Sequence, residues 1–238
     1  MISRDMFNLK EALTKEGLSK SVGLVIRGKD CVVIMAKAKH TTSFHELPEK
    51  HSNIFVWAVG GSELDARSYR AEYMRFVSRF SNTFSGRDLN VAVIHDFTAN
   101  YLRHKLYDIK SAEPASLELI VGSVDRGSMI FYTINYAGKA EVVDDMVSNI
   151  AAIGSHDDNR KELLGNLVKL KTSRLTGTEI IKKVTPHMSS FSGNMAALIF
   201  TITGSGPAKS NKNSKKNKPR RKQAPFCFLR KFYVTICL

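Results

Sequence analysis

The sequence predicts an α+β protein built of antiparallel sheets with helices on their outer faces. Three observations carry this reading. Helix-like and strand-like segments come in blocks (helix, strands, two helices, strands, two helices, strand) and do not alternate as in a doubly wound parallel sheet. Successive strand-like runs are joined by tight polar turns, as hairpins are. Several runs are apolar throughout, which suits strands covered on both faces.

The first element, NLKEALTKEG (8–17), reads as a short amphipathic helix. Leu9, Ala12 and Leu13 share a face, Glu11 and Lys15 are four apart, and Gly17 suits the C-terminal cap. In SVGLVIRGKDCVVIMAKAK (21–39), Val22, Leu24 and Ile26 alternate. Arg27-Gly28-Lys29-Asp30 then turns the chain, and Val32, Val33 and Ile34 resume, so a hairpin is predicted. HTTSFHELPEKHSN (40–53) reads as a polar connection, and IFVWAVGG (54–61) as another apolar strand ending in glycines.

Ser62 is placed to cap a helix, with Asp65 as a partial capping-box partner. Ala66, Tyr69, Tyr73, Phe76, Val77 and Phe80 follow at helical spacing, and residues 88–107 give a second helix with Val93, Phe97 and Tyr101 on one stripe. These aromatics read as core. The period then returns to strands at 116–125 and 128–138, the latter closing on the turn Asn135-Tyr136-Ala137-Gly138. Strand and loop continue to Gly154. Ser155, with Asp157 and Asp158 in the first turn, opens a helix burying Leu163, Leu164, Leu167 and Val168. Residues 176–188 form another, with Ile180, Ile181 and Val184 inward and Pro186 shortening or kinking it. NMAALIFTI (194–202) is the last apolar strand.

The chain of 238 residues is long enough for a sizeable core, and its 43% hydrophobic content is ordinary for a globular protein. No apolar run has the length of a membrane span, and the N-terminus lacks an apolar signal core, so neither a membrane nor a secretory address is expected. Cys31, Cys227 and Cys237 show no metal spacing and no disulfide framework, which suits a reducing compartment. The net charge of +14 is unevenly placed. Residues 209–238 hold ten Lys or Arg and no acid, leaving 26 basic against 22 acidic residues elsewhere. The body is therefore nearly balanced, which argues against a basic groove and makes nucleic-acid binding by the fold unexpected. The division expected is a domain over 1–204 and a basic, disordered C-terminal tail over 205–238.

The segments SVGLVIRGKDCVVIMAKAK, AVGGSELDARSYRAEYMRF and LELIVGSVD…SMIFYTINYAG…AAIGS together resemble 20S proteasome subunits, from about Phe7 to Ile202. The α-type is favoured by Ile26-Arg27-Gly28-Lys29-Asp30-Cys31-Val32-Val33, by Asp65-Ala66-Arg67, and by Ala152-Ile153-Gly154. An inactive β-type subunit is the alternative. The resemblance implies a four-layer α-β-β-α sandwich of two antiparallel sheets, as in N-terminal-nucleophile hydrolases. The chain departs from the α-type pattern in three places. The Tyr-Asp-Arg turn and Phe-Ser-Pro segment before the first helix are not found, which puts pore gating by this chain in doubt. Glu113-Pro114-Ala115-Ser116 replaces Arg-Pro-Phe-Gly, and Asn135-Tyr136-Ala137-Gly138 replaces Asp-Pro-Ser-Gly.

Active members of this family free a Thr at the start of the first hairpin strand, and use an Asp after the second strand and a Lys beyond the next connection. Here the first position reads Ser19-Lys20-Ser21, the Asp position is filled by Lys37, and the Lys position falls near Asn53. No catalytic residue is therefore expected. Histidines 40, 45, 51, 95, 104, 156 and 187 show no metal-binding spacing, and no phosphate loop follows the strand glycines, so neither metal nor cofactor is expected.

The resemblance implies a non-catalytic subunit of an outer seven-membered ring, with other α and β subunits and a regulatory ATPase particle as partners. It also implies a part in ubiquitin-dependent protein degradation in cytoplasm and nucleus. Lys50 is the candidate for pairing with the carboxylate of an ATPase tail, beside an ordinary solvated lysine. Lys215, Lys216, Lys218, Arg220, Arg221 and Lys222 fit a nuclear-localisation or polyanion-binding segment, or a solvated tail. The apolar stretch FCFLRKFYVTICL (226–238) could add a strand or helix to a neighbour.

Overall fold

The computed structural model describes residues 4–38, 40–44, 54–60, 62–83, 89–108, 114–125, 128–143, 149–154, 157–202 and 229–236. It is mixed α and β, with two antiparallel five-stranded sheets and helices packed on them.

Helix α1 (Arg4–Leu18) precedes the hairpin of β1 (Val22–Arg27) and β2 (Cys31–Ala38), in register Val22↔Lys37 to Arg27↔Val32. The turn forms where the sequence places it. The Gly28 amide donates to the Cys31 carbonyl at 2.8 Å, and a Cβ on Gly28 would stand 2.6 Å from the Cys31 sulfur, so no larger residue fits. Strand β3 (His40–Phe44) then pairs with β4 (Ile54–Gly60). The sequence reads that stretch as a polar connection. His-Thr-Thr-Ser-Phe lacks the apolar signature of a core strand, yet pairs as the outermost strand of its sheet, where burial on both faces is not required.

Helices α2 (Glu63–Thr83) and α3 (Val91–Tyr107) follow. Ser62 caps α2 by accepting from the Asp65 amide at 3.2 Å. The Asp65 carboxylate accepts from the Ser116 amide at 2.9 Å, tying α2 to the start of the next strand. Asn90 caps α3, and the Tyr69 hydroxyl joins the two helices through Thr98 at 2.7 Å. Strands β5 (Leu117–Asp125), β6 (Ser128–Ile134) and β7 (Ala140–Val143) complete the sheet β3-β4-β5-β6-β7.

β8 (Ile150–Ile153) returns to β1 and is followed by α4 (Asp157–Val168), a 3-10 turn (Thr172–Arg174) and α5 (Gly177–Val184). Thr176 and Glu179 form a reciprocal capping box on α5, and Pro186 sits in a 3-10 turn (Thr185–Met188), where the regular helix gives out as expected. On α4, Leu163 and Leu167 are buried, whereas Val168, expected on the same face, is 67% exposed. β9 (Asn194–Ile202) pairs with β2, and β10 (Leu229–Ile236) pairs with β9 to give the sheet β10-β9-β2-β1-β8. Residues 229–236 are therefore a strand of this chain's own sheet, where the sequence reading placed them in the C-terminal tail as a strand or helix for a neighbour.

Three cores set the layering. Val22, Leu24, Ile26, Val33 and Met35 pack beneath Leu163, Leu167, Ile180 and Val184 of α4 and α5. Val25, Val32, Ile34, Trp57, Ile120, Phe131, Leu198 and Phe200 fill the space between the sheets. Val56, Leu119 and Val121 meet Tyr69, Tyr73, Ile94 and Leu102 of α2 and α3. Alternate residues of one strand thus enter different cores, as the pleat requires.

α1 inverts its expected polarity. Lys10, Thr14 and Leu18 are buried, while Leu9 and Leu13 are 59% and 49% exposed. Lys10 is buried because its ammonium reaches the Asp108 carbonyl at 2.8 Å just beyond α3, letting its methylene stem pack under the helix. Phe7 stacks on Tyr107 at 5.3 Å and fixes the other end.

Candidate functional site

The head of the β1–β2 hairpin is where the family resemblance would put a nucleophile. Ser21 is buried just before β1. Its amide donates to the Leu18 carbonyl at 3.0 Å, and the carbonyl of Lys20 accepts from the Ser192 amide at 3.0 Å. The peptide unit joining Lys20 to Ser21 is therefore engaged through both its N–H and its C=O, in the short turn between α1 and β1.

Gly154 lies against Ser21. Its φ of +78° is left-handed, and a Cβ there would stand 2.5 Å from the Ser21 carbonyl oxygen, so glycine is required by conformation and by space. The Gly154 amide donates to the Glu118 carboxylate of β5, whose other oxygen accepts from the Tyr136 amide at 3.4 Å. Glu118 is 3% exposed. It fastens the β8–α4 junction in one sheet to the β6–β7 turn beside the other, with its charge met by backbone N–H groups. Nothing in the reading of LELIVGSVD singled Glu118 out; the available signal was a carboxylate between the apolar Leu117 and Leu119-Ile120-Val121.

At the same end of the hairpin as Ser21, Lys37 faces Val22 across the ladder and Met195 on its other side. A half-buried ammonium thus stands at the end of β2, where a carboxylate would be needed to orient a catalytic lysine. Asn53 and Lys50 lie outside the described residues, as do Lys215, Lys216, Lys218, Arg220, Arg221 and Lys222. Of the histidines, the His95 Nδ1 pairs with Asp96 at 2.9 Å and the His104 Nε2 with Asp108 at 3.3 Å. Among the described residues no group of three His, Cys, Asp or Glu is placed to hold a metal, and no helix is long and apolar enough to cross a membrane.

A second polar cluster secures α1. The Lys15 ammonium lies 2.9 Å from the Glu11 carboxylate, and the Tyr136 hydroxyl donates to the same oxygen at 2.9 Å. Lys15, then Tyr136, hold the Glu11 carboxyl below its ordinary range, and burial first and Glu11 second push the Tyr136 hydroxyl up to about 12. Burial likewise raises the Cys31 thiol, which makes it a poor nucleophile, and raises the Tyr101 hydroxyl to about 12. The chemistry of the described head is fastening: a buried carboxylate held by amides, a closed backbone at Ser21, and a cation at Lys37.

No family model matches the chain, and no curated protein sequence matches it.

Proposed function

We propose that the chain is a non-catalytic structural subunit of a 20S proteasome core, of the α-ring type, with an N-terminal-nucleophile hydrolase fold emptied of its chemistry. The observation that carries the reading is the element order together with its packing: a helix, a hairpin, two helices on one sheet and two on the other, around a core between the sheets. Helix α1, which ends at Leu18 just ahead of β1, supports the α-type reading. Lys37 at the carboxylate position supports a non-catalytic role.

On this reading the chain sits in a seven-membered outer ring with other α subunits, stacked on the catalytic β-ring, in cytoplasm and nucleus. It contributes to assembly, substrate entry and docking of a regulatory ATPase particle, with Lys50 as the residue assigned to the ATPase tail. The test is the native mass of the endogenous complex, with identification of the subunits that copurify. Recovery in a large barrel with α and β subunits is expected; recovery as a monomer, or with nucleic acid alone, would overturn it.

A further inference from the structure

On the side of the second sheet that faces α3, near its β7 edge, the helix leaves a groove of ≈ 630 Å³ open to solvent. Its floor is Tyr132 of β6 with Ala140 and Val142 of β7, two residues apart and so on one face of the strand. One wall is α3, through His95, Arg103 and Tyr107, and the other is the β6–β7 turn through Ala137 and Lys139. Apolar surface is on offer here, since Tyr107 is 49% and Val142 58% exposed.

The two cations of this groove are held by built geometry. Asn135 Oδ1 accepts from the Ala137 amide at 3.1 Å and the Lys139 amide at 2.9 Å, and the Asn135 amide donates to the Lys139 carbonyl at 3.0 Å, which fixes where Lys139 leaves the turn. Gly138, at φ +71°, lies so close to α3 that a Cβ would stand 2.6 Å from the Arg103 Cγ. The stem of Arg103 is therefore packed against the turn that carries Lys139. Among the described residues no carboxylate lines the groove, and neither Arg103 nor Lys139 forms an ion pair. Asp96 is engaged with the His95 ring and is not part of the lining.

We propose that this groove is a docking site for an acidic peptide segment of a partner protein, one with an apolar side chain between two carboxylates. The apolar residue would rest on Tyr132 and Val142 while the carboxylates meet Arg103 and Lys139. Charge complementarity selects this occupant: two cations beside exposed apolar and aromatic surface, with no acid among the described lining residues, disfavour a basic or neutral segment. The assignment does not depend on the ring reading above, because it needs no neighbouring subunit.

The test is fluorescence polarisation of the full chain with a labelled, terminally blocked Glu-Leu-Glu-Val-Glu peptide, and with its Gln-Leu-Gln-Val-Gln counterpart as control. Saturable binding of the acidic peptide alone is expected. Lys139→Glu should weaken it about tenfold, through lost attraction and new repulsion, and Val142→Ser should weaken it severalfold. Both side chains are exposed, so the fold should survive, as circular dichroism will check. The basic run is a competing site for acids and needs its own variant: replacing Lys215, Lys216, Lys218, Arg220, Arg221 and Lys222 by Gln should leave the affinity unchanged. No saturable binding, binding indifferent to Lys139→Glu, or loss of binding in the Gln-substituted chain would each overturn the proposal.

Discussion

The Tyr136 hydroxyl donates to the Glu11 carboxylate across 2.9 Å, joining the β6–β7 turn to a helix 125 residues earlier in the chain. It ties α1 to the body on a helix that turns Leu9 and Leu13 outward. Tyr136→Phe keeps the ring and removes the donor to a charged acceptor, a loss of about 1 kcal/mol. Faster amide exchange in α1 than in α3 is expected; equal exchange in the variant and the parent would refute the tie.

Glu118 is the buried charge on which two backbone amides converge. Glu118→Ala leaves the Gly154 and Tyr136 N–H groups without their acceptor and opens a cavity, at a combined cost of about 3 kcal/mol. Glu118→Gln retains one acceptor oxygen and is expected to lose less. Chemical denaturation of the pair measures the difference, and an Ala variant as stable as the Gln variant would contradict the fastening role.

Gly154→Ala must place a Cβ 2.5 Å from the Ser21 carbonyl oxygen at a left-handed φ. The combined strain is about 2 kcal/mol or more. Gly165 makes the control, because a Cβ there meets nothing within 4 Å and a helix interior prefers Ala by about 1 kcal/mol. Opposite shifts in melting temperature are expected for the two substitutions.

Lys37→Asp restores a carboxylate to the end of β2 but leaves the Ser21 amide inside a peptide bond. No hydrolysis should be gained, and a peptide boronate should leave the intact mass of the chain unchanged. An adduct mapping to Ser21 would overturn the non-catalytic reading.

Alkali should unfold the protein through its tyrosines. Burial raises Tyr101 and Tyr136 to about 12 and Tyr69 well above the ordinary value, while an unfolded tyrosine ionises near about 10. The neutral hydroxyl is the form the fold favours. This contribution is therefore fully present below about pH 10, and is lost as pH rises toward the folded values. Tyrosinate absorbance should appear together with loss of circular dichroism; tyrosinate formed by a fully folded chain would disprove the coupling.

Much of this architecture was legible, because β-branched runs and turn glycines state their structure locally. The 21–39 hairpin, the 54–60 strand, the Ser62 cap and the break at Pro186 all read directly. What was hidden depends on partners far along the chain. His40–Phe44 pairs as an outer strand without an apolar signature, α1 buries Lys10 because of the Asp108 carbonyl, and Glu118 gains its role only when Gly154 and Tyr136 arrive beside it. Leu229–Ile236 was read with the basic residues before it, although its own pattern of Phe232, Tyr233, Val234 and Ile236 is that of a strand.

Ile202 and Leu229 stand opposite each other in the β9–β10 ladder, so positions 203–228 begin and end at one point on the sheet's rim. Doubling such a connection changes its closure cost by only about 0.6 kcal/mol. The β9–β10 ladder therefore tolerates changes of length between those two residues at little cost in closure entropy. An affinity tag or a reporter inserted there would inherit the same licence.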